Sequence, residues 1–550
     1  MTSETRRGKA PGRLAQSATA AIGASVLLTI AISLLGPSVM VPALSGPAWQ
    51  PPYSLNVHPA PHLVVGLGAA AIVLGALGSL GLLLALSRAS ALPANSSPAN
   101  SSTATSSPVT PSPAAPLSAS GGFTSFGGGQ WSFGGGQWLP DPRLLVRLGC
   151  LAAALLAFLP PSGSGDHLNY AAYGRMVTLG VNPYTHGAVD LPTDPIARAV
   201  EAPWREEPSV YGPVATAVQA LASWIGGDSL RLTIFVLALV NAAAFIATGL
   251  LIDRFTRDDP ARRLRAALLW TANPLLLYQL VAGMHVDTLA IACMVAALLA
   301  RSRPVGSGLL LGLGVAVKIN AGLVALGPAW ELRRRPARLA LMAGTALAVV
   351  VVGYVIVGSE AIGPMTRTSK SISLASFWKL VQGWLQSIVG AGSAYRGEIQ
   401  IGSLLVLALV AWSLFRLVSR REGYQGYADA HGPVGLSAPV VGAVIVIAYL
   451  FATPYILPWY DGLAFGMLAL IGASALDGLL FTHLLVLSLA YLPARVLDGV
   501  MPQDLDWLRT VVRSRIAPWA LFALTAALVW WSWRAARRVR TPRASTAPPR

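Results

Sequence analysis

The chain has 550 residues, 54% of them hydrophobic and only 11% charged, with a mean hydropathy of +0.59. A soluble protein of this length carries far more charge, whereas a polytopic helical membrane protein has this composition. The formal net charge of +17 would suit a nucleic-acid partner, but the arginines sit in short clusters between apolar runs, which is the signature of cytoplasmic membrane loops.

Apolar runs recur from Ser17 to Trp533. Several are too short to span alone at about 1.5 Å per residue, so some crossings must be broken or tilted. The expected fold is an all-α polytopic membrane protein with about 14 transmembrane helices, at roughly 20 residues per full crossing. Ser17–Met40 and Leu63–Leu86 come first. The first of these has no small-residue cleavage site at signal-peptide distance, so it is expected to be retained. Residues 88–142 are almost entirely Ser, Pro, Ala, Asn, Thr and Gly, a composition that cannot bury a core. This linker ends in a tandem FGGGQW, at Phe126–Trp131 and Phe133–Trp138, read as a flexible tether with interfacial tryptophans. The chain therefore divides into two N-terminal spans (1–87), a cytoplasmic linker (88–142), a membrane body (143–535) and a basic cytoplasmic tail (536–550). Cys150 and Cys293 lie far apart in apolar runs and read as free thiols, with neither a disulfide nor a metal site implied.

Placing the N-terminal Arg6, Arg7, Lys9 and Arg13 in the cytoplasm sets the threading. Alternate loops then collect Arg254–Arg265, Arg301 and Arg303, Arg333–Arg338, Arg416–Arg421 and the C-terminal tail. On the other side fall residues 161–210, the loop after Val357 and the segment Thr453–Asp461. Asp166, His285, Asp287, Lys318 and Tyr460 all reach that external face, from five separate stretches of chain. Ionisable groups at the mouth of a membrane span are costly unless used, so these are the candidate site.

Each candidate has two readings. Asp166, in the segment Gly165 to His186 (GDHLNYAAYGRMVTLGVNPYTH), is a helix N-cap or a general base for an acceptor hydroxyl. His167 and Tyr170 lie in the same polar segment and are expected to bind substrate. His285 and Asp287 form either a solvated turn or a pair that binds sugar and orients a neighbour. Lys318, flanked by apolar residues, either snorkels to the interface or holds a lipid phosphate as a point charge. Trp459 and Tyr460 belong to an aromatic belt or stack on a sugar face. Arg367 and Lys370 are solvated or pair with a phosphate. There is no P-loop, dinucleotide-binding glycine motif or zinc-ligand spacing, which removes ATP-driven pumping and Rossmann chemistry.

The strings GDHLNYAAYGRMVTLGVNPY, SVYGP, NPLLLYQLVAGMHVDTLAI, GVAVKINAGL and TPYILPWYDGLAF, together with an acid just after an early span, carry a resemblance. Over roughly residues 144–535 the chain resembles the actinobacterial polyprenol-phosphate-mannose-dependent α-(1→6)-mannosyltransferases of the MptB type, within the GT-C class of membrane glycosyltransferases. The linker is an elaboration of this chain. The resemblance implies a mannosyl donor on a polyprenyl phosphate, a lipid-linked mannan acceptor, and a site at the outer face of the plasma membrane among membrane lipids. It implies Asp166 as the base, Lys318 near the donor phosphate, and His285 with Asp287 as a polar pair in the site. A β-linked donor giving an α product requires inversion, hence one displacement and one base, not the second carboxylate of a retaining route. A phosphate with a single lipid ester leaves without needing a metal, so no cofactor is required and a divalent ion is merely allowed. The rival classes are a secondary transporter or lipid flippase, the same fold using arabinose or glucose, and a non-catalytic scaffold.

Overall fold

A computed structural model describes residues 10–91, 138–368, 370–424, 436–495 and 502–538. The low-complexity part of the linker, with FGGGQW repeats up to Gln137, and the last residues of the basic tail lie outside the described residues. All regular structure described is helical. The main helices are α1 (Ala10–Leu35), α2 (Pro61–Ala91), α3 (Pro142–Leu156), α4 (Asp166–Thr178), α5 (Pro213–Gly226), α6 (Leu230–Thr256), α7 (Pro260–Leu269) and α8 (Asp287–Leu299). They continue as α9 (Pro304–Val317), α10 (Pro336–Val357), α11 (Trp378–Ile388), α12 (Arg396–Tyr424), α13 (Ala438–Ala452), α14 (Asp461–Leu468), α15 (Leu476–Tyr491) and α16 (Ala517–Arg538).

Local chemistry sets many helix starts. Asp141 before Pro142 and Asp259 before Pro260 accept backbone N–H bonds from the first turns of α3 and α7. Ser229 does the same for α6. A capping oxygen followed by proline at the first helical position satisfies donors that have no partner within the helix.

Among the described residues, six helices are long and apolar enough to cross a membrane: α1, α2, α6, α10, α12 and the stretch Gln503–Arg538 that contains α16. Four shorter apolar helices, α8, α9, α13 and α15, accompany them. The chain is thus a polytopic helical membrane protein, with fewer full-length crossings visible than the expected count. The reason is that several apolar runs are interrupted. A π-helical segment, Leu277–Ala282, separates α7 from α8, and the backbone goes extended at Lys318 between α9 and the 3-10 turn Ile319–Ala325. The face of α10 bearing Val351, Val355 and Ile356 is exposed, as expected where lipid rather than protein covers an apolar helix.

α1 and α2 form a hairpin that packs on α15 through α2, while α8, α9 and α10 stack in sequence. The main core gathers α6, α8, α13, α14 and α15 around Trp270, Phe451 and Phe465. Trp270 is fully buried, stacks on Phe245 at 5.1 Å and donates its indole N–H to the Phe245 carbonyl at 2.9 Å. Arg265 is buried too; it forks onto Asp477 at 2.6 and 2.7 Å and also donates to the carbonyls of Leu468 and Ile471. Each nitrogen of this buried cation therefore has an acceptor, which is the condition for burying a charge.

Candidate active site

Asp166 begins α4, but it does not cap it. The N-cap position falls on Gly165, without a side-chain hydrogen bond, and the Asp166 N–H donates to Ser164 Oγ at 3.2 Å. The carboxylate is left for other work: its Oδ2 stands 3.4 Å from His285 Nδ1. Gly165 is needed here because a Cβ would lie 2.8 Å from the Glu201 carboxylate. Glu201 in turn holds Arg495 at 2.7 Å, and Arg495 reaches the Ser38 carbonyl at 2.9 Å. The turn that carries Asp166 thus packs closely against this ion pair.

His285 arrives from the π-helical segment through a turn in which Met284 adopts φ +54°. Wider π turns recur where a helix is adjusted for function. The imidazole lies flat on Trp459, ring centroids 3.6 Å apart and 15° from parallel. Trp459 and Tyr460 sit on the 3-10 turn Pro458–Tyr460, and the next residue, Asp461, is buried with its oxygens 2.8 and 3.0 Å from His483 Nδ1 on α15. Both nitrogens of His167 and of His285 are buried without a hydrogen-bond partner among the described residues. Buried polar atoms left unpaired by the protein are uncommon, and a water or substrate group can complete them.

Lys318 occupies the break after α9, with φ −153° and ψ 125°. Its ammonium forms a two-pronged ion pair with Asp287, at 2.7 and 2.8 Å, in which the aspartate is essentially buried. The ammonium also stands 4.3 Å from the centre of the Tyr460 ring and 5.9 Å from that of Tyr211. The Tyr211 hydroxyl meets that of Tyr170 at 3.3 Å.

These elements wall a cavity of about 350 Å³, lined by Asp166, Glu207, Tyr211, Lys318, Trp459, Tyr460, Tyr491 and Arg513, among others. Tyr173 also lines it and donates its hydroxyl to the Glu207 carbonyl at 2.9 Å. Burial, then the charges of Asp166 and Glu207, push the Tyr173 phenol above its ordinary value, so it serves as a neutral donor. Arg513 donates to the carbonyls of Ala490 and Tyr491, at 2.7 and 2.6 Å, and lies over the Tyr491 ring. Among the described residues no carboxylate stands within ion-pair distance of it. Among the described residues there is also no group of three or more His, Cys, Asp or Glu side chains placed to hold a metal.

The sequence candidates sort as follows. Asp166, Lys318, Trp459 and Tyr460 line the cavity, with His285 and Asp287 directly behind them. His167 and Tyr170 are buried beneath the wall and do not line it. Arg367 is exposed and stands outside the lining, although Thr368 beside it contributes. Two readings need correction. The capping role of Asp166 is absent, because the N-cap position falls on Gly165 and, among the described residues, no backbone N–H of the first turn donates to the Asp166 carboxylate. Nor is Lys318 a lone cation, because Asp287 comes from the adjoining helix to neutralise it. Sequence reading passed over Glu207, Tyr211 and Arg513. Glu207 lies near the end of the loop 161–210 and Tyr211 in the SVYGP string, which was used only for the resemblance, while Arg513 stands between Arg509 and Arg515 ahead of the last apolar stretch, where a basic cluster reads as a loop charge.

Residues 72–334 match the family model described as alpha-(1->6)-mannopyranosyltransferase, N-terminal domain, and residues 210–482 match glycosyltransferase family 87. The chain is 24% identical over 335 residues to alpha-(1->6)-mannopyranosyltransferase B of Corynebacterium glutamicum, a match spanning 54% of each chain. It is 24% identical over 404 residues to the A enzyme of the same organism, covering 65% of this chain and 78% of that one. Against alpha-(1->6)-mannopyranosyltransferase A of Mycobacterium tuberculosis it is 25% identical, covering 56% and 61%. No solved structure matches. The helical membrane fold and these matches make the chain similar to the α-(1→6)-mannopyranosyltransferases and to glycosyltransferase family 87. The match spans only about half the length of the first of these relatives.

Proposed function

We propose that the chain transfers mannose from a polyprenyl-phosphate mannose to a lipid-linked mannan acceptor, with inversion, forming α-1,6 linkages at the extracytoplasmic face of the plasma membrane. The observation that carries this reading is a single cavity holding a carboxylate backed by a stacked imidazole, Asp166 with His285, and an arginine with no carboxylate partner among the described residues, Arg513. The relatives' names supply the sugar and the linkage. Asp166 takes the proton from the acceptor hydroxyl as that oxygen attacks the anomeric carbon, and the bond to the donor phosphate breaks. His285, held flat by Trp459, stands 3.4 Å behind the carboxylate and steadies its position. The aromatic side chains of Trp459, Tyr460 and Tyr491 offer faces for sugar rings. Charge developing on the leaving phosphate is met by Arg513, whose planar guanidinium suits phosphate oxygens. The leaving group is a polyprenyl monophosphate, whose charge the guanidinium meets, so no step of this scheme runs through a metal. The interrupted helices around Lys318 and Leu277–Ala282 belong to the same reading, in which short segments combine to complete the expected crossings.

Membranes containing the protein, incubated with labelled polyprenyl-phosphate mannose and a short α-1,6-mannoside, test the assignment. Asp166→Asn keeps size and removes the base, so transfer is expected to fall roughly 10²–10⁴-fold with insertion and expression unchanged. Turnover within a few-fold of the parent would pass the role to Glu207, the other carboxylate on the cavity wall.

A further inference from the structure

A second cavity, of about 630 Å³, opens between α3, α6 and α7. It lies at the end of these helices away from Asp166. α3 runs from Arg143 toward the turn that carries Asp166, and α6 runs from the side fastened to α4 by the Arg175–Asp228 ion pair out to Arg254. Five arginines line it, Arg143, Arg147, Arg254, Arg257 and Arg263, against only two aspartates. Asp253 is fully engaged by Arg263, at 2.5 and 2.6 Å, and Asp258 is exposed and 3.6 Å from Arg257. Asp141, beside this end of α3, spends its side chain on the Arg143 backbone N–H. Among the described residues Arg143, Arg147 and Arg254 have no carboxylate within ion-pair distance.

The setting of these charges names the ligand. Val146 and Leu250 complete the cavity lining, and the exposed leucines Leu148 and Leu151 continue down α3. Arg143, Arg147 and Leu151 are four residues apart, so on a helix they form one stripe that passes from cations to apolar side chains. On α6, Arg254 and Leu250 repeat the arrangement. A free phosphate would use the arginines and leave the apolar stripe unexplained. A molecule with an anionic phosphate head and acyl chains uses both, with the head among the guanidinium groups and the chains along the leucines.

We propose that this groove is a binding site for the phosphate headgroup of an acidic phospholipid, separate from the sugar-transfer cavity. The site is independent of the assigned sugar and acceptor, because none of its residues lines that cavity.

Purified full-length protein in neutral detergent is the starting material, with phosphatidylglycerol and phosphatidylcholine as lipid probes and inorganic phosphate as the soluble one. Lipid retained on the protein is counted by native mass spectrometry, and Tm is followed in parallel. The parent is expected to retain phosphatidylglycerol over phosphatidylcholine and to gain Tm with it, while inorganic phosphate gives no gain. Arg147→Gln combined with Arg254→Gln should bind phosphatidylglycerol roughly 30-fold more weakly, about fivefold for each arginine removed near an anionic headgroup. Arg147→Lys with Arg254→Lys should keep most of the binding, which separates loss of charge from loss of fold. Equal retention of the two lipids by the parent protein, or a Tm gain from inorganic phosphate alone, would overturn the proposal. So would undiminished binding in a folded glutamine pair.

Discussion

Lys318 and Arg513 are both cations on the wall of the same cavity, yet their surroundings give them different work. Lys318 is already neutralised by Asp287 and shielded by Tyr460, whereas Arg513 is held only by backbone carbonyls. Removing one member of a buried pair strands the other charge, at a cost of about 3–5 kcal/mol. Lys318→Ala is therefore expected to lower Tm and membrane yield, and Lys318→Ala with Asp287→Ala to recover much of the loss. Arg513→Gln is expected to lower Tm less than Lys318→Ala, because its amide can keep one of the two carbonyl bonds, and to raise the donor concentration needed for half-maximal rate about tenfold or more, since a charge-assisted bond contributes roughly 1.5–3 kcal/mol. Donor titration at fixed acceptor, beside a thermal melt of each variant, separates the two. An unchanged donor dependence in Arg513→Gln would return the phosphate role to Lys318.

Helix α4 depends on a close approach to α5. Gly174 faces the Gln219 carbonyl so tightly that a Cβ would collide with that backbone oxygen. Backbone cannot yield as a flexible side chain does, so α4 must shift or tilt, and overpacking of this kind typically costs about 1–3 kcal/mol. Asp166 sits on the first turn of the same helix, eight residues before Gly174. Gly174→Ala is thus expected to lower both Tm and transfer rate, the rate falling further because a displacement of about 1 Å at a reacting group costs on the order of 100-fold. Gly180→Ala, at a position with open space around it, is not its control, because φ there is +76°. Gly344→Ala on α10 is, having ordinary helical φ and nothing within reach of a Cβ. Equal behaviour of Gly174→Ala and Gly344→Ala would show that α4 has more room than its contacts indicate.

The chain as a whole is organised by where its arginines and its polar loops fall relative to the bilayer. Basic clusters such as Arg333–Arg335 alternate with the loops that converge on the cavity, and the positive-inside preference then orients every span at once. Single cysteines in a background lacking Cys150 and Cys293 test this. Thr193→Cys, exposed in the loop after α4, is expected to react with an impermeant maleimide in intact cells, and Ser106→Cys in the linker only after permeabilisation. External labelling at position 106 would invert the threading and move the cavity to the cytoplasmic face.

The helical class, the membrane setting and four residues of the cavity wall were legible in the amino-acid string. Apolar runs, arginine clusters and polar residues at apolar boundaries report local burial and local cost, which depend on the residue and its neighbours in sequence. Asp166, Lys318 and Trp459–Tyr460 were readable for that reason: each breaks an apolar run where a charge or a polar ring is expensive unless it is used. Pairing was not legible. That Asp287 would quench Lys318, that Trp459 would lie flat on His285, and that Arg513 would reach the cavity from the far end of the chain are contacts between residues 31, 174 and more than 300 positions apart. Arg367 failed as a wall residue for the same reason, its neighbour Thr368 turning inward instead. Sequence determined which side chains had to find partners in this membrane. Only the packing of the helices decided which partners they found, because in a medium without water each buried charge takes the nearest compensating group the fold brings to it.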